Sequence, residues 1–187
     1  GSAGILEPAI AHAVNGDCSK QREMEAQRTL LEFEHIVQVN DLSNNSIVAL
    51  TRAQLWKGLV LRARSPEKFN HSLQCRSDEL ADNEFKRTIE AGNTRFCERV
   101  VLFPEDRICT RTVQELNQFN AQSTTSIEEP EKSYLFVRFC YKHELDDNDA
   151  LVDVGEHLKA AYVQIDRDAI AMIRMLAESD LFDQTIN

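Results

Sequence analysis

The sequence predicts an α+β fold in which a curved, seven-stranded antiparallel sheet closes around one long C-terminal helix. Three observations predict it. Seven segments carry strand patterning, the last six of them separated only by short turn chemistries. Two short helical segments follow the first strand. Residues 150–178 then form one helical pattern without an interruption. A sheet with an apolar face and a single amphipathic helix can bury both only by curling round the helix.

The elements follow in chain order. Leu31 to Asn40 places Phe33, His35, Val37 and Val39 on one face at period two, which is a half-buried strand. The polar turn DLSNNS comes next. Thr51 and Gln54 have capping-box spacing, and Leu55, Trp56, Leu59 and Val60 give the following helix its apolar stripe. Ser65-Pro66 opens a second short helix, with Pro at a first-turn position that needs no N–H. Strands are expected over Leu73–Leu80, Glu84–Glu90, Arg95–Phe103, Arg107–Gln114, Gln122–Glu128 and Tyr134–Leu145. The breaks between them carry Asp82-Asn83, Gly92-Asn93, Pro104-Glu105-Asp106 and Pro130, which are hairpin chemistries. In the long helix Leu158, Ala161, Tyr162, Ile165, Ala169, Met172, Ile173 and Leu176 recur at three- and four-residue steps. At 1.5 Å per residue it is about 40 Å long, and Asp149 or Asp153 can cap its start. In the last strand Leu135, Val137, Phe139 and Tyr141 should point inward. Tyr134, Phe136, Arg138 and Cys140 should point outward, where the two aromatics need a cover from the N-terminal extension or from a second subunit.

Composition excludes several function classes. The 187 residues are 42% apolar, enough for a real core. A net charge of -10 is wrong for a nucleic-acid backbone or an anionic membrane surface, and no apolar run approaches the roughly 18 to 20 residues of a membrane span. The five cysteines form no CxxC and fit neither a zinc site nor a disulfide framework. Reduced thiols in a cytoplasmic protein are expected, with no metal and no cofactor. Residues 1–30 read as an extension without chemistry of its own, and residues 31–187 as one ligand-binding domain. The extension lacks the basic stretch before an apolar core that a secretory signal needs.

Few residues offer chemistry. If Pro104 and Glu105 are the centre of a two-residue hairpin turn, Val100 faces Cys109, Glu98 faces Arg111 and Phe96 faces Val113, all on the more apolar face. An inward Glu98–Arg111 pair could orient a ligand, or could be a hydrated cross-strand pair near the sheet end. His35 lies on the inner face of the first strand, where it is either a satisfied core histidine or an acid–base group. Glu128 and Glu129 point to opposite faces and suit turn capping better than paired-carboxylate catalysis. The acidic run HELDDNDALVD lacks the glycine and terminal glutamate of a calcium loop. No GxSxG, HExxH or glycine-rich phosphate loop occurs.

Four separated segments, EFEHIVQVND, LTRAQLWKGLVLRARSPEKF, IEEPEKSYLFVRFCY and AYVQIDRDAIAMIR, resemble the AtaL-like proteins. These belong to the START-like, birch-pollen-allergen-like superfamily labelled SRPBCC. The resemblance spans about residues 31 to 178. It implies a helix-grip fold with a hydrophobic cavity, and it favours an acidic residue at Glu98. The expected pocket is lined by His35, Trp56, Glu98, Val100, Arg111, Val137, Phe139, Tyr141 and Tyr162. The expected role is binding of a small hydrophobic or aromatic metabolite. The alternative is a polyketide cyclase/aromatase- or dehydratase-like enzyme, and whether the chain is an enzyme stays open. A homodimer with a filled interior is a third, structural reading.

Overall fold

The computed structural model describes residues 29–113, 120–145 and 154–179. Strand β1 (Thr29–Gln38) is followed by helix α1 (Arg52–Arg64) and a single 3-10 turn, Pro66–Lys68. Strands β2 (Leu73–Ala81), β3 (Glu84–Ala91), β4 (Thr94–Phe103), β5 (Arg107–Thr112), β6 (Ala121–Glu131) and β7 (Tyr134–Leu145) come next, and helix α2 (Val154–Glu178) closes the order. All seven strands form one antiparallel sheet in the order β1-β7-β6-β5-β4-β3-β2. Six strands run as a meander, and the last returns beside the first. The predicted start of the long helix, with Asp149 and Asp153, lies outside the described residues, as do the acidic run from 146 and most of the N-terminal extension.

The sheet's concave face holds the core. Phe85, Val100, Leu135, Val137 and Phe139 are fully buried there and pack with Leu55 and Leu59 of α1 and Ile173 of α2. Each such side chain contributes about 1.5–3 kcal/mol relative to exposure. Helix α1 begins as its sequence predicts: the Thr51 side chain accepts from the Gln54 N–H, and Gln54 returns a bond to the Thr51 N–H. Helices α1 and α2 meet at Gly58, where an added Cβ would lie 2.3 Å from Ile173 Cγ2. Only glycine permits that approach. Buried Asn40 fastens the end of the sheet by bonding both the N–H and C=O of Leu50 and the C=O of Ser133. Glu129 caps the β6–β7 turn, accepting from the Ser133 N–H at 2.7 Å, while Glu128 turns to the convex face and pairs with Arg138. Tyr134 and Phe136 also face the convex side and are half-buried.

Two expectations fail, each for a local reason. The β4–β5 hairpin closes with Phe103 opposite Arg107 around the three residues Pro104, Glu105 and Asp106, not around two. Two-residue hairpin turns need a positive φ at their first central residue, and proline cannot adopt one. Glu105 takes the left-handed conformation instead, at φ 58, and the Asp106 N–H bonds the Phe103 carbonyl at 2.9 Å. The one-residue shift puts Arg111 opposite Arg99 and Cys109 opposite Val101, both on the convex side. Arg111 is exposed and cannot pair with Glu98. In α2 the buried stripe is Asp166, Ala169, Ile170, Ile173 and Leu176. Ala161 and Ile165 are exposed, so the stripe passes one residue beyond Ile165 and takes in a carboxylate.

Candidate functional site

Asp166 is the centre of the site. It sits one helical turn after Tyr162 and one before Ile170, so the helix aims it into the grip. Its side chain is 0% exposed, and a buried carboxylate without partners would cost several kcal/mol. Three elements supply donors. Arg62, in the last turn of α1, donates to Oδ1 at 2.9 Å. Tyr141 of β7 donates its hydroxyl to Oδ2 at 2.6 Å, and His35 of β1 approaches the same oxygen through Nε2 at 2.7 Å. A carboxylate only accepts, so His35 donates through Nε2, and a neutral ring in this orientation carries its lone pair on Nδ1.

Aromatic rings surround this hub. Tyr141, Phe33 and Tyr162 form a mutual cluster, with Tyr141 stacked on Phe33 at 5.1 Å and on Tyr162 at 4.3 Å and Phe33 5.8 Å from Tyr162, and His35 stacks on Phe139 at 5.0 Å. Burial, and then the Asp166 carboxylate, hold the Tyr141 hydroxyl far above the usual phenol range. Burial raises Tyr162 as well, with Glu98 and Asp166 adding to it. Both hydroxyls therefore remain protonated donors at neutral pH.

The middle of the concave face is more polar. Glu98 of β4 stands directly opposite Arg87 of β3, and the Arg87 guanidinium donates to it at 3.2 Å. Arg87 also donates to the Ala63 carbonyl near the end of α1, at 2.7 Å, and its buried Nε has no hydrogen-bond partner. Beside the pair, β5 and β6 place Thr110, Thr112, Ser123 and Thr125 on the same face, all half-buried. Thr110 and Ser123 share a hydrogen bond, and Thr112 accepts from the Ala121 N–H.

Of the residues predicted from sequence, His35, Phe139, Tyr141 and Tyr162 gather around Asp166. Val100 and Val137 lie in the packed floor and are 0% exposed. Trp56 is half-buried on α1 against the core. Glu98 points inward, but its partner is Arg87 rather than Arg111. Sequence reasoning missed Asp166, Arg62 and Arg87. Two signals were present: Arg87 alternates with Phe85 and Ile89, and Asp166 stands four residues from both Tyr162 and Ile170. Among the described residues no group of three or more His, Cys, Asp or Glu side chains is arranged to hold a metal ion. Among the same residues no helix is long and apolar enough to cross a membrane.

The model of the AtaL family, described as acetylaranotin biosynthesis cluster protein L, matches residues 37–180. The chain belongs to the AtaL family. Its fold is that of solved helix-grip proteins. It is similar to the di-domain ARO/CYC StfQ from the steffimycin biosynthetic pathway, with a TM-score of 0.64 and 13% identity over 96% of this chain and 62% of that one. It is also similar to norcoclaurine synthase from Thalictrum flavum, with a TM-score of 0.53 and 10% identity over 81% of this chain and 90% of that one. Ara h 8.0201 gives a TM-score of 0.54 and 11% identity over 78% of this chain and 98% of that one. At such identities the likeness is one of fold. The AtaL-family chain spans 62% of the length of StfQ and 50% of the length of the di-domain ARO/CYC BexL. No curated protein sequence matches it.

Proposed function

We propose that this AtaL-family chain binds a small, mostly apolar or aromatic metabolite between the concave face of the sheet and α2. One observation carries this reading. Polar groups that a plain core would exclude are gathered on the inner face: the Glu98–Arg87 pair, only 19% and 14% exposed, and the neighbouring hydroxyls of Thr110, Thr112, Ser123 and Thr125. They stand beside the half-buried rings of Phe33, Tyr141 and Tyr162. A mixed wall of this kind suits a flat ligand carrying a few oxygens. The net charge of -10 is consistent with a neutral small-molecule partner rather than nucleic acid or an anionic membrane, and the free thiols of Cys75, Cys109 and Cys140 suit a cytoplasmic setting.

A second reading, a polyketide cyclase/aromatase- or dehydratase-like enzyme, is favoured by a titratable histidine facing the same space and held by a buried carboxylate. The names of StfQ and BexL point the same way. Mass spectrometry of compounds extracted from natively purified protein tests the binding reading. So does quenching of Trp56, the only tryptophan, by a hydroxyanthraquinone. Saturable quenching that weakens in Glu98→Gln supports it; no retained compound and no saturable quenching would sink it.

A further inference from the structure

The His35–Asp166 contact has a direction that ligand binding alone does not require. Both Asp166 oxygens are occupied: Oδ1 by Arg62, Oδ2 by Tyr141 and by His35 Nε2. Three other secondary-structure elements therefore fix the carboxylate, and the carboxylate fixes the imidazole. Stacking on Phe139 holds the plane of the ring. A histidine needed only for packing could be replaced by another aromatic without this arrangement of partners. The His35 side chain is 13% exposed although its strand faces inward. The groups that face it are Asp166 from α2 and Phe139 and Tyr141 from β7; Arg62 of α1 is on the far oxygen of Asp166, Tyr162 of α2 lies behind Tyr141, and the Glu98–Arg87 pair is further along the sheet.

We infer that His35 is a general base toward carbon acids bound on the concave face, and that Asp166 is its positioning residue. The inference rests on the reading of that face as a binding site. In the step, His35 Nδ1 takes a proton from a C–H activated by an adjoining electron-withdrawing group. Asp166 offsets the charge of the imidazolium that forms, through the proton already on Nε2. The imidazolium then returns its proton to water.

A nitrobenzisoxazole tests this without knowledge of the natural ligand. Removal of its ring C–H proton sends that electron pair into a carbon–nitrogen triple bond as the N–O bond breaks. A coloured cyanophenolate is released with its oxygen keeping the N–O pair. The reaction is redox-neutral and needs no co-reactant. The full chain should turn the probe over with saturation, at a rate that rises with pH through one ionisation. His35→Gln, which keeps a donor for Asp166, should lose the ionisation and about 10²-fold of kcat with KM little changed. Asp166→Asn should lower kcat by roughly tenfold or more at similar KM. If the His35 variant does not fold, carbethoxylation of the wild-type chain replaces it: modification mapped to His35 should abolish turnover in parallel. Turnover that is equal in His35→Gln, or that survives modification of His35, overturns the inference. Saturable quenching of Trp56 by the probe without turnover also overturns it, and leaves the binding reading intact. Absence of saturable probe binding also overturns the inference, while the binding reading stands or falls on the extraction and hydroxyanthraquinone measurements.

Discussion

Two inward-facing carboxylates, Glu98 on the sheet and Asp166 on α2, are each paired with an arginine, and they are built differently. Glu98 pairs with one residue, directly across the sheet in the neighbouring strand, and 19% of its side chain is exposed. Asp166 is completely buried and is held from three further elements by residues at positions 35, 62 and 141. The first is a cross-strand pair that water can reach, so its strength is moderated by solvent. The second is a tertiary junction, and removing its centre strands three polar groups at once. Charge alone therefore does not set a group's structural importance. The number of elements that converge on it does.

Removing the junction should have the largest effect. Asp166→Ala leaves Arg62, His35 and Tyr141 without their shared acceptor and should cost roughly 3–5 kcal/mol in urea denaturation. A smaller loss than for Glu98→Ala would break the comparison. Next is Gly58→Ala, which pushes α1 away from α2 at Ile173 and should cost about 1–3 kcal/mol. Pairing it with Ile173→Ala, which removes both crowding Cγ atoms, should give a combined loss smaller than the sum of the two single losses if close approach is the cause. Because α1 carries Arg62, the strained variant should also disturb the Asp166 junction more than the Glu98 pair, as side-chain NMR would show.

Alkaline pH gives a third handle. Tyr141 and Tyr162 bind their protons more tightly when folded than their ordinary value of 10.0 allows. Between that value and the folded ones the native state holds more protons than the unfolded chain, so stability is fully present below pH 10 and falls as pH rises beyond it. Thermal melts across this range should show the fall, and it should be shallower in Tyr162→Phe. The smallest effects concern the sheet pair. Glu98→Gln should change stability by only about 1 kcal/mol while weakening an aromatic ligand measurably. Arg111→Ala, on the convex face opposite Arg99, should stay within about 0.5 kcal/mol and leave binding unchanged.

What sequence reveals follows the same division. The order of strands and helices, the capping box and the inward face of His35 were legible, because periodicity and turn chemistry are local. The β4–β5 register was readable in principle, since Pro104 forbids the two-residue turn. The Asp166 junction was not legible as a site. Its members lie as far as 131 residues apart, and nothing in the neighbourhood of any one names the others. Ile165, adjacent to Asp166, also took the apolar role in the helical pattern, although the folded helix turns it to solvent at 49% exposure. Arg62 and Arg87 carry no signal of a role in the sequence, because the groups their ends reach are brought near only by packing.

The pairing of β1 with β7 has a consequence in time rather than in space. Strand β1 has no partner in the sheet until nearly all the other strands have been made, and the Asp166 junction must wait for α2. Long-range closure of this kind is slow, because chain entropy is spent before the contacts that repay it can form. A nascent chain ending before Tyr134 would present β1 as an open edge carrying Ile36 and Val37. Such an edge readily pairs with a neighbouring chain. The grip that organises the site thus makes its assembly one of the last events in the molecule's folding.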